Sequence, residues 1–192
     1  LLFTVGTGAE CAQCHMPGRT YMGIDYRPDH SFRIPQPELT LTINSPHACN
    51  RCHCDNPAQW SDESITIWYG PGRKRHFGSV IEAGRKGKPG AGKHLVRLAV
   101  EPLYPVIVRA TALSLLNAYP SETLTRACNL ALMDDEALIR RTALDSLNAS
   151  GMDRRAKLVS SLLYDPVKAV RIQAAFMLAG EPSRHLDANE KK

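Results

Sequence analysis

Two copies of one five-residue pattern constrain this chain more than any other feature of its sequence. Residues 11–15 (CAQCH) and 49–53 (CNRCH) both have the form C-x-x-C-H, and together they contain four of the six cysteines. Two thiols separated by two residues can hold one bound group from a single segment, and the histidine that follows can donate a nitrogen to the same group. The fold must therefore leave room for a ligand beside each motif.

C-x-x-C-H is the attachment pattern of c-type haem, in which the thiols bond to the porphyrin and the histidine binds the iron. We therefore predict two covalently attached haem c groups. Each has two cysteine anchors and one proximal iron ligand: Cys11, Cys14 and His15 for the first haem, and Cys49, Cys52 and His53 for the second.

The four cysteines of the motifs admit two other interpretations, a paired C-x-x-C zinc site or two disulfides. A four-cysteine zinc site completes its tetrahedron without His15 or His53, and a disulfide between cysteines three positions apart is usually redox-active rather than structural. Haem is the interpretation that uses every residue of both motifs, and zinc is the main alternative. The other two cysteines are expected to be buried, Cys54 near a haem edge and Cys128 in a helical core.

The N-terminal third of the chain is poor in aliphatic residues. Between Gly6 and Trp60 the only Val, Leu or Ile residues are Ile24, Ile34, Leu39, Leu41 and Ile43. So few cannot bury a core that offsets the entropy of ordering the backbone, so we expect cofactors to fill the interior. Prolines favour loops and short turns here. One helix is predicted at 56–69, where Asn56 can cap and Pro57 can occupy the first turn.

The C-terminal half contains an internal repeat. Apolar helical stretches begin at Val108, Ile139 and Val170, 31 residues apart, and read VRATAL, IRRTAL and VRIQAA. Second helices are predicted at 123–133 and 153–163. The turns before the repeated stretches are acidic or contain proline: Glu101-Pro102, Asp134-Asp135 and Asp165-Pro166. This period predicts an α-solenoid of HEAT-like helix pairs, with a repeat shorter than is usual for that class.

These patterns predict a mostly α fold in which a loop-rich di-haem cytochrome c domain is followed by an α-solenoid of HEAT-like helix pairs. The predicted divisions are residues 1–70 for the di-haem domain, 71–94 for a basic linker with a distal-ligand segment, 95–180 for the helical repeats and 181–192 for a polar tail. The linker includes GKPGAGK, which is not a P-loop because His94 follows it where Ser or Thr would bind magnesium.

Charge and hydropathy exclude several partners. The formal net charge of +5 is modest, and haem propionates would offset most of it, so no nucleic-acid partner is predicted. No apolar run approaches the roughly 18 residues of a membrane span, and the apolar residues 1–5 are too few for a signal peptide. Because prokaryotes attach haem to C-x-x-C-H outside the cytoplasm, we expect an exported protein, periplasmic, extracellular or at the cell surface, whose leader has been removed.

The chain resembles a family of exported multihaem cytochromes c in which a doubled C-x-x-C-H region precedes HEAT or tetratricopeptide-like helical repeats. The resemblance covers nearly the whole chain, through residues 14–17 (CHMP), 21–22 (YM), 29–35 (DHSFRIP), 48–53 (ACNRCH), 60 (W), 76–78 (HFG) and 109–113 (RATAL). Such proteins are electron carriers. The resemblance therefore implies electron transfer, and it marks His30 and His76 as the distal iron ligands.

Three histidines remain outside these assignments. His47 lies two residues before Cys49, too near its own attachment site to reach the far face of that haem. It could ligate the other haem or a haem in a neighbouring subunit. His94 and His185 are expected at the surface.

Two functions are compatible with the motifs, and they differ in how many ligands the protein gives each iron. If both irons carry two histidines, the protein is an electron carrier without catalytic residues, and its partners are redox proteins or terminal electron acceptors. If one iron lacks a distal ligand, the protein is a haem enzyme that acts on peroxide or a nitrogen oxide. No acid-base pair is evident beside an open iron, which favours the carrier. A third interpretation makes the repeats a docking surface that carries the haems as cargo.

The ends of the chain indicate self-association. The apolar residues 1–5 could pair with a neighbour, and the last repeat has no evident cap. We expect a homo-oligomer. The sequence is compatible both with an extracellular electron-conducting filament that has a continuous row of haems and with a monomeric periplasmic shuttle.

Overall fold

The computed structural model of the protein describes residues 10–119, 122–147 and 159–179. The chain is mostly helical, which confirms the predicted fold class at that level, and the described part has one two-stranded sheet. The chain divides into two units, Leu1–Ser79 and Val80–Lys192. The described residues include no helix with the length and apolar character that crossing a membrane requires.

The first unit begins with short elements. Helix α1 (Cys11–His15) precedes an antiparallel hairpin of β1 (Arg19–Tyr21) and β2 (Asp25–Arg27), which is followed by helix α2 (Glu38–Ile43) and a 3-10 turn at Cys49–Arg51. Proline lacks a backbone N–H and interrupts longer helices. The elements therefore have the short lengths that the prolines predicted.

The hairpin returns the chain to α1. Its turn passes through Met22 and Gly23, which have φ values of 52° and 81°. Glycine adopts this left-handed region freely, whereas the Cβ of methionine makes it strained. Beyond the hairpin, the Arg33 N–H donates a hydrogen bond to the His15 carbonyl over 3.2 Å. The segment after β2 is thereby held beside the first C-x-x-C-H motif.

Helix α3 (Ala58–Tyr69) confirms the helix predicted at 56–69. Its N-cap is Pro57 rather than Asn56, so the helix starts slightly later than expected. Proline fits this end of a helix because the first N–H groups have no intrahelical acceptor.

One arginine joins the two helices that pack together in the first unit. Arg73 donates from Nη2 to Asp62 of α3 over 2.7 Å and from Nη1 to Glu38 of α2 over 3.2 Å. All three side chains are partly buried. Partly buried ion pairs are screened less by salt than exposed pairs, so this contact stabilises the α2–α3 packing.

The described part of the second unit consists of helices and 3-10 turns, and the division between the units falls within the first of these helices. The helices are α4 (Phe77–Arg85), α5 (Ala91–Val100), α6 (Val106–Leu115), α7 (Glu122–Ala131), α8 (Ala137–Ser146) and α9 (Lys168–Leu178), with 3-10 turns at Leu116–Ala118 and Ser160–Tyr164. Helix α5 packs against α6 and α7, and α8 packs against α6, α7 and α9.

Helices α6, α8 and α9 start 31 residues apart, as the sequence repeat predicted. Their buried positions recur with the same period: Val108, Ile139 and Val170 near the start of each helix, and Ala112, Ala143 and Ala174 one turn later. The second predicted helix of the first repeat is α7. The helix predicted at 153–163 lies partly outside the described residues, and its end forms the 3-10 turn at Ser160–Tyr164. The tail at 181–192 also lies outside them.

The arginine of each repeat ties its helix to neighbouring turns. Arg140 donates to both carboxylate oxygens of Asp165, from Nε over 2.7 Å and from Nη2 over 3.0 Å. One repeat earlier, Arg109 donates from Nη2 to a single carboxylate oxygen of Asp134 and from Nε to the Ala99 carbonyl over 3.0 Å. Arg140 and Arg171 also each donate to two carbonyl groups of the turn that precedes their own helix. The repeated arginine therefore has a structural role, because it joins its helix to neighbouring turns.

Two expectations need correction. Residues 71–94 are not a linker, because they contain α4 and the start of α5. Gly84 of α4 lies so close to the Leu95 side chain of α5 that a Cβ there would be 2.9 Å from Leu95 Cδ1, so glycine permits this close approach between the two helices. Cys128 is buried as predicted, but Cys54 is exposed, since it follows the 3-10 turn and its thiol contacts Asp55 at the surface.

We predict that Asp165→Asn destabilises the second unit by about 3 kcal/mol, because it leaves the largely buried Arg140 without its counter-ion. Hydrogen bonds from Arg140 hold the pKa of the Asp165 carboxyl below its usual range. The native protein therefore keeps this stabilisation above the ordinary aspartate pKa of about 4 and loses it as the pH falls through the lowered native value. Thermal unfolding followed by circular dichroism between pH 2 and pH 7 measures both effects.

The matched control is Asp135→Asn, because the Asp135 carboxylate is exposed and its side chain makes no hydrogen bond within the described residues. It should change the melting temperature little at any pH. Equal destabilisation by the two variants would contradict a special role for the Asp165 pair.

Candidate functional site

The first C-x-x-C-H motif forms helix α1. In a helix, residues three and four positions apart lie on one face, so Cys11, Cys14 and His15 project toward the same side. Both cysteines are exposed. This short helix therefore offers two thiols and one imidazole to a single group from one surface.

His15 has a defined hydrogen-bond partner. Its Nδ1 lies 2.9 Å from the carbonyl oxygen of Arg33. A carbonyl oxygen can only accept, so Nδ1 must carry the proton and donate it. In the neutral ring the lone pair is then on Nε2, on the far side from Arg33. His15 is therefore in the tautomer, and held in the orientation, that a metal-ligating histidine needs.

The second motif is positioned by the 3-10 turn at Cys49–Arg51. The His53 N–H donates to the Cys49 carbonyl over 3.0 Å, which places the histidine directly over the turn that carries the cysteines. The His53 ring lies against the Trp60 indole of α3, with 4.8 Å between the ring centroids and an angle of 50° between the planes. The indole restricts the rotation of the imidazole while the ring remains exposed.

The thiols of the two motifs influence one another. Burial raises the pKa of Cys14, and the nearby charges of Cys49, Cys52 and Cys11 raise it further. The two motifs are therefore close enough within the first unit to interact electrostatically. All six cysteines are free thiols, so the disulfide interpretation does not describe this structure.

The three remaining histidines of the first unit differ in their surroundings. His30 is exposed, and no hydrogen bond or ring contact engages its imidazole within the described residues. His76 is partly buried and accepts the Gly78 N–H on Nδ1 over 3.0 Å. His47 has both ring nitrogens buried with no hydrogen-bond partner in the described part of the chain. Burial lowers the pKa of both His47 and His76.

The described part of the first unit, residues 10–79, lacks an apolar core. Among residues 10–79 only Gly18, Pro37 and Ser61 are buried. Eleven large apolar side chains are exposed: Tyr21, Met22, Ile24, Tyr26, Phe32, Ile34, Leu41, Trp60, Ile67, Trp68 and Tyr69. Each such side chain contributes about 1.5–3 kcal/mol when it is buried. Polypeptide alone leaves this contribution unused, whereas two large apolar macrocycles could bury these side chains.

The residues present thus fit covalent haem. Each motif presents two exposed or half-buried thiols beside a histidine, one histidine is held in a ligating tautomer, and the same unit leaves eleven large apolar side chains exposed. No three His, Cys, Asp or Glu side chains among the described residues are grouped as ligands of one metal ion. A haem does not require such a group, because the porphyrin supplies four nitrogens and the protein adds ligands from two opposite sides.

No protein-family model, curated protein or solved structure matches this chain. The functional argument therefore comes from the motifs and their geometry.

Two features of this site have no signal in the sequence. The carbonyl of Arg33 orients His15 across 18 positions of the chain, and any residue type would provide that oxygen. The burial of His47 depends on how the chain between α2 and the 3-10 turn folds back. By contrast, Arg73 could be suspected from its position in a basic stretch, although its two acidic partners could not.

We predict that changing all four motif cysteines to serine leaves the first unit without a stable fold. The variant should be cleaved rapidly by protease within residues 10–79, while the second unit keeps its cooperative melting transition because it has its own core. Limited proteolysis with mass spectrometry locates the cuts, and circular dichroism follows the helices.

Cys54→Ser is the control, because this cysteine is exposed and outside both motifs. Its digestion pattern should equal that of the parent protein. If the four-serine variant resisted protease as well as the parent does, the unit would not depend on a group attached at the motifs.

Proposed function

We propose that the protein is an exported electron carrier, a di-haem c-type cytochrome whose irons are each bound by two histidines. The observation that carries this proposal is the hydrogen bond from His15 Nδ1 to the Arg33 carbonyl. It leaves Nε2 unprotonated on the histidine that directly follows Cys14, and a four-cysteine zinc site would have no use for such a histidine.

Each haem, when bound, would supply an iron that gains or loses one electron while the protein's own bonds stay intact. Cys11 and Cys14 would anchor one macrocycle, and Cys49 and Cys52 the other. The Arg33 carbonyl would make the His15 imidazole a stronger electron donor by accepting a hydrogen bond from its Nδ1–H, which would favour the oxidised state of a bound iron. Trp60 limits the orientations of His53.

The number of histidines in the first unit supports a carrier rather than an enzyme. The first unit contains three histidines besides His15 and His53, namely His30, His47 and His76, which is more than the two distal positions require. The predicted pair is His30 and His76. Two six-coordinate irons leave no open position for peroxide or a nitrogen oxide, so electrons would pass without substrate binding to the metal.

The helical unit would act as a scaffold and docking surface. We propose that its repeated pairs form an α-solenoid of HEAT-like units, because equivalent helices pack in sequence and repeat the same buried positions. Such surfaces suit redox partner proteins.

The carrier proposal is tested by the mass of the denatured protein together with its spectrum after reduction in pyridine. We expect a covalent mass increase of two haems, and a low-spin spectrum of the native protein that does not change on addition of cyanide, carbon monoxide or nitrite. A high-spin fraction that binds these ligands would favour the haem enzyme. A colourless protein that contains zinc would overturn the proposal.

We also propose self-association of the haem-loaded protein. Ile172 and Phe176 of α9 are exposed, at 58% and 77%, and a second chain could cover them. Sedimentation and electron microscopy of the native protein should show oligomers, with a filament as the extended form. A single species of monomer mass that does not change on concentration would contradict this prediction.

A further inference from the structure

His47 is the one histidine of the first unit whose ring nitrogens are both shielded and unpaired. Nδ1 and Nε2 are buried, and neither has a hydrogen-bond partner among the described residues. Burying a polar atom without a hydrogen-bond partner costs free energy and is rare in native structures. We therefore expect one of these nitrogens to bind a ligand. An imidazole with an unused lone pair is a common ligand of haem iron.

His76, the ligand that the family resemblance suggests, is engaged differently. Its Nδ1 accepts the Gly78 N–H, so the proton of the neutral ring is on Nε2. Its ring also lies against Phe77, with 3.9 Å between the centroids. Neither nitrogen of His76 has a free lone pair in this arrangement. His15 shows the opposite pattern, with a carbonyl on Nδ1 and Nε2 available.

The position of His47 in the chain determines which haem it can serve. It is two residues from Cys49, and two residues span at most about 7 Å. His53 follows the same motif and would occupy the near face of that haem. So short a connection does not carry the chain around the macrocycle to the opposite face. Within one chain this leaves the haem anchored at Cys11 and Cys14, and the Cys14 thiol is close enough to Cys49 for the two to interact electrostatically.

We propose that His47 is the distal ligand of the haem held by Cys11 and Cys14, opposite His15, and that His30 rather than His76 ligates the second iron. This inference rests on the proposed function, because it assigns ligands to its haems. Coordination would give one buried nitrogen of His47 the partner that the polypeptide does not supply.

The test compares His47→Ala, His30→Ala and His76→Ala in the full haem-loaded protein. Mass spectrometry first confirms two covalent haems, since attachment depends on the cysteines. Electron paramagnetic resonance and carbon monoxide titration then count the open irons. We expect one high-spin iron, and one bound carbon monoxide per chain, for His47→Ala and for His30→Ala. His76→Ala should stay fully low-spin. Added imidazole should restore the low-spin signal of His47→Ala.

His94→Ala is the matched control, because His94 is an exposed histidine on α5 in the other unit. It should bind no carbon monoxide. A low-spin, unreactive His47→Ala protein with both haems attached would overturn the assignment of His47. Absence of haem from the parent protein would instead overturn the proposed function, so the two failures are distinguishable.

Two further variants complete the test. Changing Cys49 and Cys52 to alanine leaves only the first haem, and His47→Ala on this background should still open an iron. If the effect disappears, His47 serves the second haem and the assignment is wrong. If His47→Ala does not fold, His47→Met keeps an iron-binding side chain. The reduction potential of one haem should then rise, because methionine ligation raises the potential of haem iron. Unchanged potentials would overturn the proposal.

Discussion

Aliphatic side chains are scarce between residues 6 and 60, and this scarcity determines how the N-terminal unit can be stabilised. Within residues 10–79 the polypeptide buries only three residues, and it leaves eleven large aromatic and aliphatic side chains exposed. Ordering a backbone costs about 1–2 kcal/mol per residue, which burial normally offsets. A unit of this kind needs material other than its own side chains, and two covalent macrocycles would provide it beside the two motifs.

The two units are stabilised by different interactions. The second unit has a continuous apolar core that repeats along α6, α8 and α9, and a ladder of arginines links each repeat to the acidic turn of the next. This unit is therefore stabilised by its own side chains. The first unit relies on local turns and on the Arg73 contacts to Glu38 and Asp62. Loss of an attached group should therefore affect the two units unequally.

The hydrogen-bond partners of the ring nitrogens distinguish His15, His47 and His76 in a way that the sequence does not. A carbonyl beside Nδ1, as at His15, leaves Nε2 free to bind iron, whereas an N–H beside Nδ1, as at His76, uses the lone pair and places the proton on Nε2. Burial without a partner marks His47. Composition and spacing contain none of this information, because it depends on which backbone group meets the ring.

The sequence by itself determined the features that arise from short-range order. Motif spacing places two thiols and a histidine on one face of α1, Pro57 locates the start of α3, and the 31-residue period predicts where α6, α8 and α9 recur. Only the tertiary structure decided which atoms meet across long stretches of chain. The Arg33 carbonyl at His15, the shielded ring nitrogens of His47, the exposure of Cys54 and the packing of Gly84 on Leu95 all belong to this class. The physical reason is that backbone carbonyls and shielding from solvent are available to any residue type, so the contacts that use them leave no trace in composition or spacing.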